Sequence, residues 1–346
     1  MAFENLTERE KTILLNLITY YIQSADPVGS RVIANRFKMG ISSATIRNTL
    51  QDLEELGLVE QPHTSAGRVP TDRGYRVYVD YLLKPERLSP TEQKAIRDTI
   101  TREGRGINEM LGQTARLLGD VTRQLGVTIA PRFEAGVLEN LRLISIAENR
   151  VMVVVVVRSG LARSVILEVE ASFTDRELVE VESLLNEKLS GLTLAEIRQT
   201  LQERLQSVSG HGRLIQLVVD SKERIWTDDT VGKLHIAGAD HLLEMPEFAD
   251  RDQLTQILKV LEDRRVISEF LSQADQEGLV ITIGKESKFD EIMHCSLVKS
   301  TYRVGNITGS IAVIGPTRMP YSKLVSVVEY TARSITEVLA GMNEEK

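Results

Sequence analysis

At 346 residues, with 42% hydrophobic and 26% charged side chains, the chain has room for two or three domains and the composition of a soluble globular protein. Its net charge of −7 gives no overall pull toward nucleic acid, and its longest apolar run, Val151 to Val157, suits a buried strand and falls far short of a membrane span. A single cysteine, Cys295, excludes an intrachain disulfide and a cysteine-based zinc site; the histidines lack metal-ligand spacing, so neither metal nor other cofactor is expected. The polar, acidic start lacks the basic and apolar stretches of a secretion signal, which predicts a cytoplasmic location and no membrane partner.

In chain order the first feature is a capping box, Thr7 with Glu10, ahead of Ile13, Leu14, Leu17, Ile18 and Tyr21 at three- and four-residue steps. That pattern predicts an amphipathic helix, ended by Asp26-Pro27. A second, short helix from about Gly29 to Phe37 turns Val32, Ile33 and Phe37 inward, and Gly40 suits a left-handed turn. Ser42 caps a third helix that runs to Leu56 and stops at Gly57. Helix, short helix, glycine turn and helix form the outline of a helix-turn-helix.

On the third helix Ile46, Leu50 and Leu53 share the packed face, while Ala44, Arg47, Asn48 and Gln51 lie opposite, with Thr45 at the edge. The first turn, Ser42, Ser43, Ala44 and Thr45, is small and hydroxyl-rich, which permits close approach to a groove wall. The N-terminal end of such a helix meets base edges, where arginine suits guanine and asparagine suits adenine. Leu58 to Gln61 then predicts a strand, His63, Thr64, Ser65, Ala66, Gly67 and Arg68 a turn, and Val69-Pro70 the return. This is a β-wing with Arg68 at a basic tip, placed to reach a phosphate or the minor groove. The module, a winged helix-turn-helix over residues 1–84, holds ten Lys/Arg against ten Asp/Glu, so the acidity belongs to the rest of the chain. Between residues 31 and 76 seven basic side chains outnumber five acidic ones, a balance compatible with DNA.

Beyond the module, Ser89-Pro90-Thr91-Glu92 marks a helix start, and Ile107 to Leu125 reads as a further amphipathic helix. Three strands are expected at Ala135–Ile146, Arg150–Arg158 and Ala162–Val169, and three more at Leu279–Ile283, Met293–Tyr302 and Ile307–Ile314. Between the trios lie helices from Asp175 and Thr193, a strand Leu214–Val219 and a helix from about Arg251 to Gln273; a last helix runs from Ser322 to Leu339. Strands with covering helices predict an α+β domain made of 85–170 and 246–346, interrupted by an insertion over 171–245. Gly284-Lys285-Glu286-Ser287 resembles part of a phosphate-binding loop with the wrong spacing, and Gly210-His211-Gly212 lacks the rest of a dinucleotide fingerprint; both read as turns. No paired catalytic set is present, so an enzyme is not expected.

The run GISSATIRNTLQDLEELGLVEQPHTSAGRVPTDRGYRVYVD, Gly40 to Asp80, resembles the signature of HrcA, the heat-inducible transcription repressor family of bacteria, and ADPVGSRVIANRF, Ala25 to Phe37, fits it too. Thr49 departs from the acidic residue expected in many members, on a side of the helix turned from the bases. The resemblance implies a GAF-like α+β domain interrupted by an inserted α+β dimerisation domain. It further implies a homodimer that binds double-stranded DNA at the CIRCE inverted repeat of chaperonin and Hsp70 operons, represses them, and is assisted by the chaperonin GroEL. Because GAF-like folds often hold small ligands, the alternative is a ligand-sensing winged-helix regulator with a metabolite site in the body.

Overall fold

The computed structural model describes residues 6–38, 40–64, 66–102, 106–169, 172–206, 212–227, 234–273 and 277–344. The chain is an α+β protein that divides into two units, one of residues 1–128, 234–301 and 311–334, the other of 129–233, 302–310 and 335–346.

The first unit opens with the winged helix: α1 (Glu8–Ser24), α2 (Ser30–Phe37), α3 (Ser43–Glu55), β1 (Val59–Glu60), β2 (Val69–Pro70) and α4 (Asp72–Val77), which continues as one π-helical turn, Tyr78–Leu82. Then come α5 (Pro90–Ile100), α6 (Ile107–Thr122) and β3 (Leu125–Ile129). Caps set the helix starts as the sequence requires. Reciprocal boxes join Thr7 to Glu10 and Ser89 to Glu92, each satisfying two otherwise unpaired amides of the first turn.

The second unit contains β4 (Leu138–Ala147), β5 (Arg150–Val157) and β6 (Ala162–Glu168), followed by α7 (Asp175–Leu189), α8 (Leu194–Leu205), α9 (Gly212–Asp220) and α10 (Lys222–Trp226). The three strands form their own antiparallel sheet in the order β4-β5-β6. Its buried face, with Leu141, Leu143, Val151, Val153, Val155 and Val157, shares one core with Leu178, Leu185, Ile197, Leu201, Leu214, Val218 and Trp226 of the helices.

This corrects the expected boundary at residue 171. The first trio of strands packs with the helices that follow and does not join the second trio, so the break falls near residue 129. Alternating apolar residues show that a strand has a buried face but not which sheet supplies the neighbours. Here the short turns after β4 and β5 pair the three strands with one another. Leu214–Val219, expected as a strand, lies within α9: Leu214, Ile215 and Val218 are buried at helical spacing, and so short an apolar run suits either structure.

The chain re-enters the first unit at residue 234 and continues through β7 (Leu234–Ala237), α11 (Ala239–Leu243), α12 (Arg251–Glu262), α13 (Arg264–Gln273), β8 (Val280–Ile283), β9 (Cys295–Val304), β10 (Ile307–Pro316) and α14 (Tyr321–Glu344), of which residues 302–310 and 335–344 count with the second unit. A five-stranded sheet orders them β7-β3-β10-β9-β8, and thereby adds β3 and β7 to the expected trio. The single helix expected over Arg251–Gln273 is two, parted at Asp263, whose carboxylate accepts the Arg265 amide at 2.9 Å. β9 buries Cys295 to Ser300 continuously, on both faces, as a central strand does.

Candidate nucleic-acid interface

The core of the module is built by Ile13, Leu14, Leu17 and Ile18 of α1, Ile33 of α2, and Ile46, Leu50 and Leu53 of α3, all buried. With that face of α3 occupied, the 100° step turns the other side outward, and Ala44, Arg47, Asn48 and Gln51 are all exposed. Ser42 caps the helix: its Oγ accepts the Thr45 amide at 3.1 Å and lies 2.9 Å from the Thr45 hydroxyl. These two hydroxyls therefore brace the first turn, beside Ser43, which is half-buried. Thr49 is 1% exposed and donates to the Thr45 carbonyl at 3.2 Å, away from the outward face as the periodicity requires.

β1 and β2 pair antiparallel, Val59 with Pro70 and Glu60 with Val69. The wing turn is held from inside by Gln61, whose amide donates to the Thr64 carbonyl at 3.0 Å and the Ala66 carbonyl at 2.9 Å. His63 and Thr64 are exposed at the turn, and Ser65 lies outside the described residues.

Arg68 is not at the tip. Its backbone bridges Val28 in both directions, at 2.9 and 3.0 Å, which draws it beneath the wing beside the last turn of α3. There its guanidinium meets Glu54 at 2.7 Å. Gly67 permits the approach, since a Cβ would lie 2.4 Å from the Val28 carbonyl carbon. The sequence shows a positive charge after the turn; only the pairing of Val28 with Arg68 shows that the charge is already neutralised.

Three cations outside the expected contact set are better placed. Arg31 and Arg36 of α2 and Lys38 at its end are exposed and, like Arg47, enter no ion pair among the described residues. The helix before a recognition helix crosses the phosphate backbone, so these are the side chains free to neutralise it. Their signal in the sequence was the local basic excess, which marks a segment but does not rank its members.

Comparison with known proteins agrees with this geometry. The family model described as winged helix-turn-helix transcription repressor, HrcA DNA-binding, matches residues 5–80, and that described as HrcA protein C terminal domain matches residues 108–325. The heat-inducible transcription repressor HrcA of Symbiobacterium thermophilum is 38% identical over 96% of this chain and 98% of its own. That of Pelotomaculum thermopropionicum is 36% identical over 96% and 97%, and that of Geobacter sulfurreducens 35% over 97% and 99%. A solved structure described as that of a hypothetical protein shares the fold, with a TM-score of 0.62 at 22% identity over 97% of this chain and 99% of that one. No helix among the described residues is long and apolar enough to cross a membrane. With a winged helix at its start, and with relatives alike from end to end, the chain belongs to the HrcA family of heat-inducible transcription repressors.

Proposed function

We propose that the repressor acts in the cytoplasm as a homodimer that binds the CIRCE inverted repeat, blocks transcription of chaperonin and Hsp70 operons, and is assisted into its active form by GroEL. The observation that carries DNA reading is the exposed face Ala44, Arg47, Asn48 and Gln51 on a helix opened by a hydroxyl cap. Arg47 is assigned to guanine and Asn48 to adenine, the pairings their donor patterns favour. Ser42, Ser43 and Thr45 shape the first turn, His63, Thr64 and Ser65 form the wing contact, and Arg31, Arg36 and Lys38 hold phosphates. Arg68 becomes a brace for the wing. The GroEL and operon assignments rest on the Gly40–Asp80 resemblance.

Support for a homodimer comes from the second unit. β5 is apolar on both faces: Val151, Val153, Val155 and Val157 are buried, while Met152 stands between Ile144 and Ile166 on the other side. Ile144 and Ile166 are 40% and 47% exposed. Strands apolar on both faces are normally covered on both, and a second copy would cover this one. The GAF-like character of the interrupted domain is part of the same reading.

The test is a gel shift of the full-length chain on a CIRCE duplex with and without GroEL. A tighter complex with GroEL, and none on a duplex with scrambled arms, supports the reading. Operator affinity indifferent to GroEL but altered by a small metabolite would replace it with a ligand sensor.

A further inference from the structure

The turn Gly284-Lys285-Glu286, which the sequence leaves without a role, grips the winged helix inside the first unit. It is a single 3-10 turn at the end of β8. Gly284 has φ +50°, and a Cβ on it would lie 2.4 Å from Oδ2 of Asp72, the first residue of α4. The next amide, Lys285 N–H, donates to that same Asp72 oxygen at 3.0 Å. Glu286 then takes the Arg76 guanidinium on both carboxylate oxygens, and its Oε2 also accepts the Ile283 amide at 2.8 Å, which closes the turn. Arg76 spends its other donors on the Ile281 carbonyl at 2.7 Å and on Asp80 at 3.1 Å. Asp72 and Arg76 are four residues apart on one face of α4, so three consecutive residues of the turn engage one helix face. Next to this contact Tyr75 and Tyr78 pack their rings on Tyr321 of α14, at 5.8 and 6.5 Å between centroids.

We infer that Gly284-Lys285-Glu286 is a clasp that fixes the orientation of the winged helix on its body, so that operator affinity depends on it through the spacing of two modules and not through the reading face. The inference rests on the homodimer and inverted-repeat reading above. The clasp holds α4 and leaves Ala44, Arg47, Asn48 and Gln51 exposed, so it is remote from the contacts one module makes with one half-site. Two linked modules gain affinity from their linkage only when their separation matches the half-sites. A stiff joint removes one source of spread in that separation, and a loose one adds it. Opening the joint would bare Tyr75, Tyr78 and Tyr321, all buried, and would unpair Arg76 from Glu286; the closed joint is therefore the more stable one, and the orientation it sets is the one offered to the repeat.

The test compares the full-length chain with Glu286→Ala, Asp72→Ala and Gly284→Ala on two duplexes, one with the intact inverted repeat and one with a single arm scrambled. Thermal unfolding and sedimentation check fold and dimer, and Glu286→Gln stands in should Glu286→Ala fail to fold. The expected result is a loss of about tenfold or more on the intact repeat with unchanged affinity for the single arm. An unchanged ratio in every variant overturns the clasp, and a tighter intact-repeat complex overturns it in favour of a restraint on DNA binding. Failure of the underlying reading looks different: the unaltered chain would then bind both duplexes alike, and the clasp would fall with it.

Discussion

Arg68 and Glu54 stand 2.7 Å apart and tie the root of the wing to the last turn of α3. The Arg68 side chain is 19% exposed and the Glu54 side chain 34%, so the pair is partly sheltered and its contribution to stability is modest, about 1 kcal/mol. Arg68→Ala should lower thermal stability slightly and weaken operator binding by loosening the wing. Because the guanidinium is already neutralised, the dependence of affinity on salt should keep its slope. A slope lower by about one would return Arg68 to the phosphates.

Arg36→Ala is expected to act the other way. Arg36 is exposed and enters no ion pair among the described residues, so its loss should weaken binding equally on operator and random DNA and lower the salt slope by about one. Salt titrations of both duplexes provide the comparison; an operator-only loss would make Arg36 a base reader.

Arg47→Ala should cost about 1–3 kcal/mol on the operator and relax the preference at one base position. Binding selection from a pool with that position randomised is the direct measurement. If affinity falls by the same amount on random DNA, Arg47 is a backbone contact only.

Replacing Ile144 or Ile166 by lysine places a charge on the uncovered face of the three-stranded sheet while leaving the buried face untouched. The expected outcome is a folded monomer in sedimentation equilibrium, with operator binding lost or sharply reduced. A dimer of unchanged affinity would assign the subunit contact to another surface.

Glu92 gives a pH dependence of definite sign. The Ser89 hydroxyl and amide, at 2.7 and 2.9 Å, and the Lys323 ammonium, at 3.0 Å, hold its carboxyl down at about 2 from an ordinary 4.5. A folded value below the unfolded one means that the stabilisation is full above pH 4.5 and is lost as pH falls toward 2. Glu92→Gln should flatten the acid limb of stability in that window, as followed by urea unfolding at stepped pH. Parallel curves for the two proteins would remove Glu92 from the acid response.

The relation of sequence to structure differs from element to element for one reason, the range of the interactions involved. Thr7 with Glu10, Ser42 before Thr45, and the i, i+3, i+4 faces of α1 and α3 are contacts within a few residues, so the winged helix and its outward face were legible in the sequence alone. Thr49 was placed correctly for the same reason, because one helical turn decides which way it points. The sheet partners of β4 to β6, the helix at Leu214–Val218, and the addition of β3 and β7 to the five-stranded sheet depend on neighbours distant in the chain.

Charge behaves likewise. Local composition marked residues 31–76 as basic, but which cations remain free was decided by pairings between remote segments: Val28 with Arg68 brings Arg68 to Glu54, and the Gly284 turn brings Glu286 to Arg76. Sequence by itself determined the DNA-binding module, because short-range helix chemistry specifies it. Only the tertiary structure decided which arginines hold the protein together and which enter no ion pair among the described residues, because an ion pair needs its partner within a few ångströms and the partner can come from anywhere in the chain.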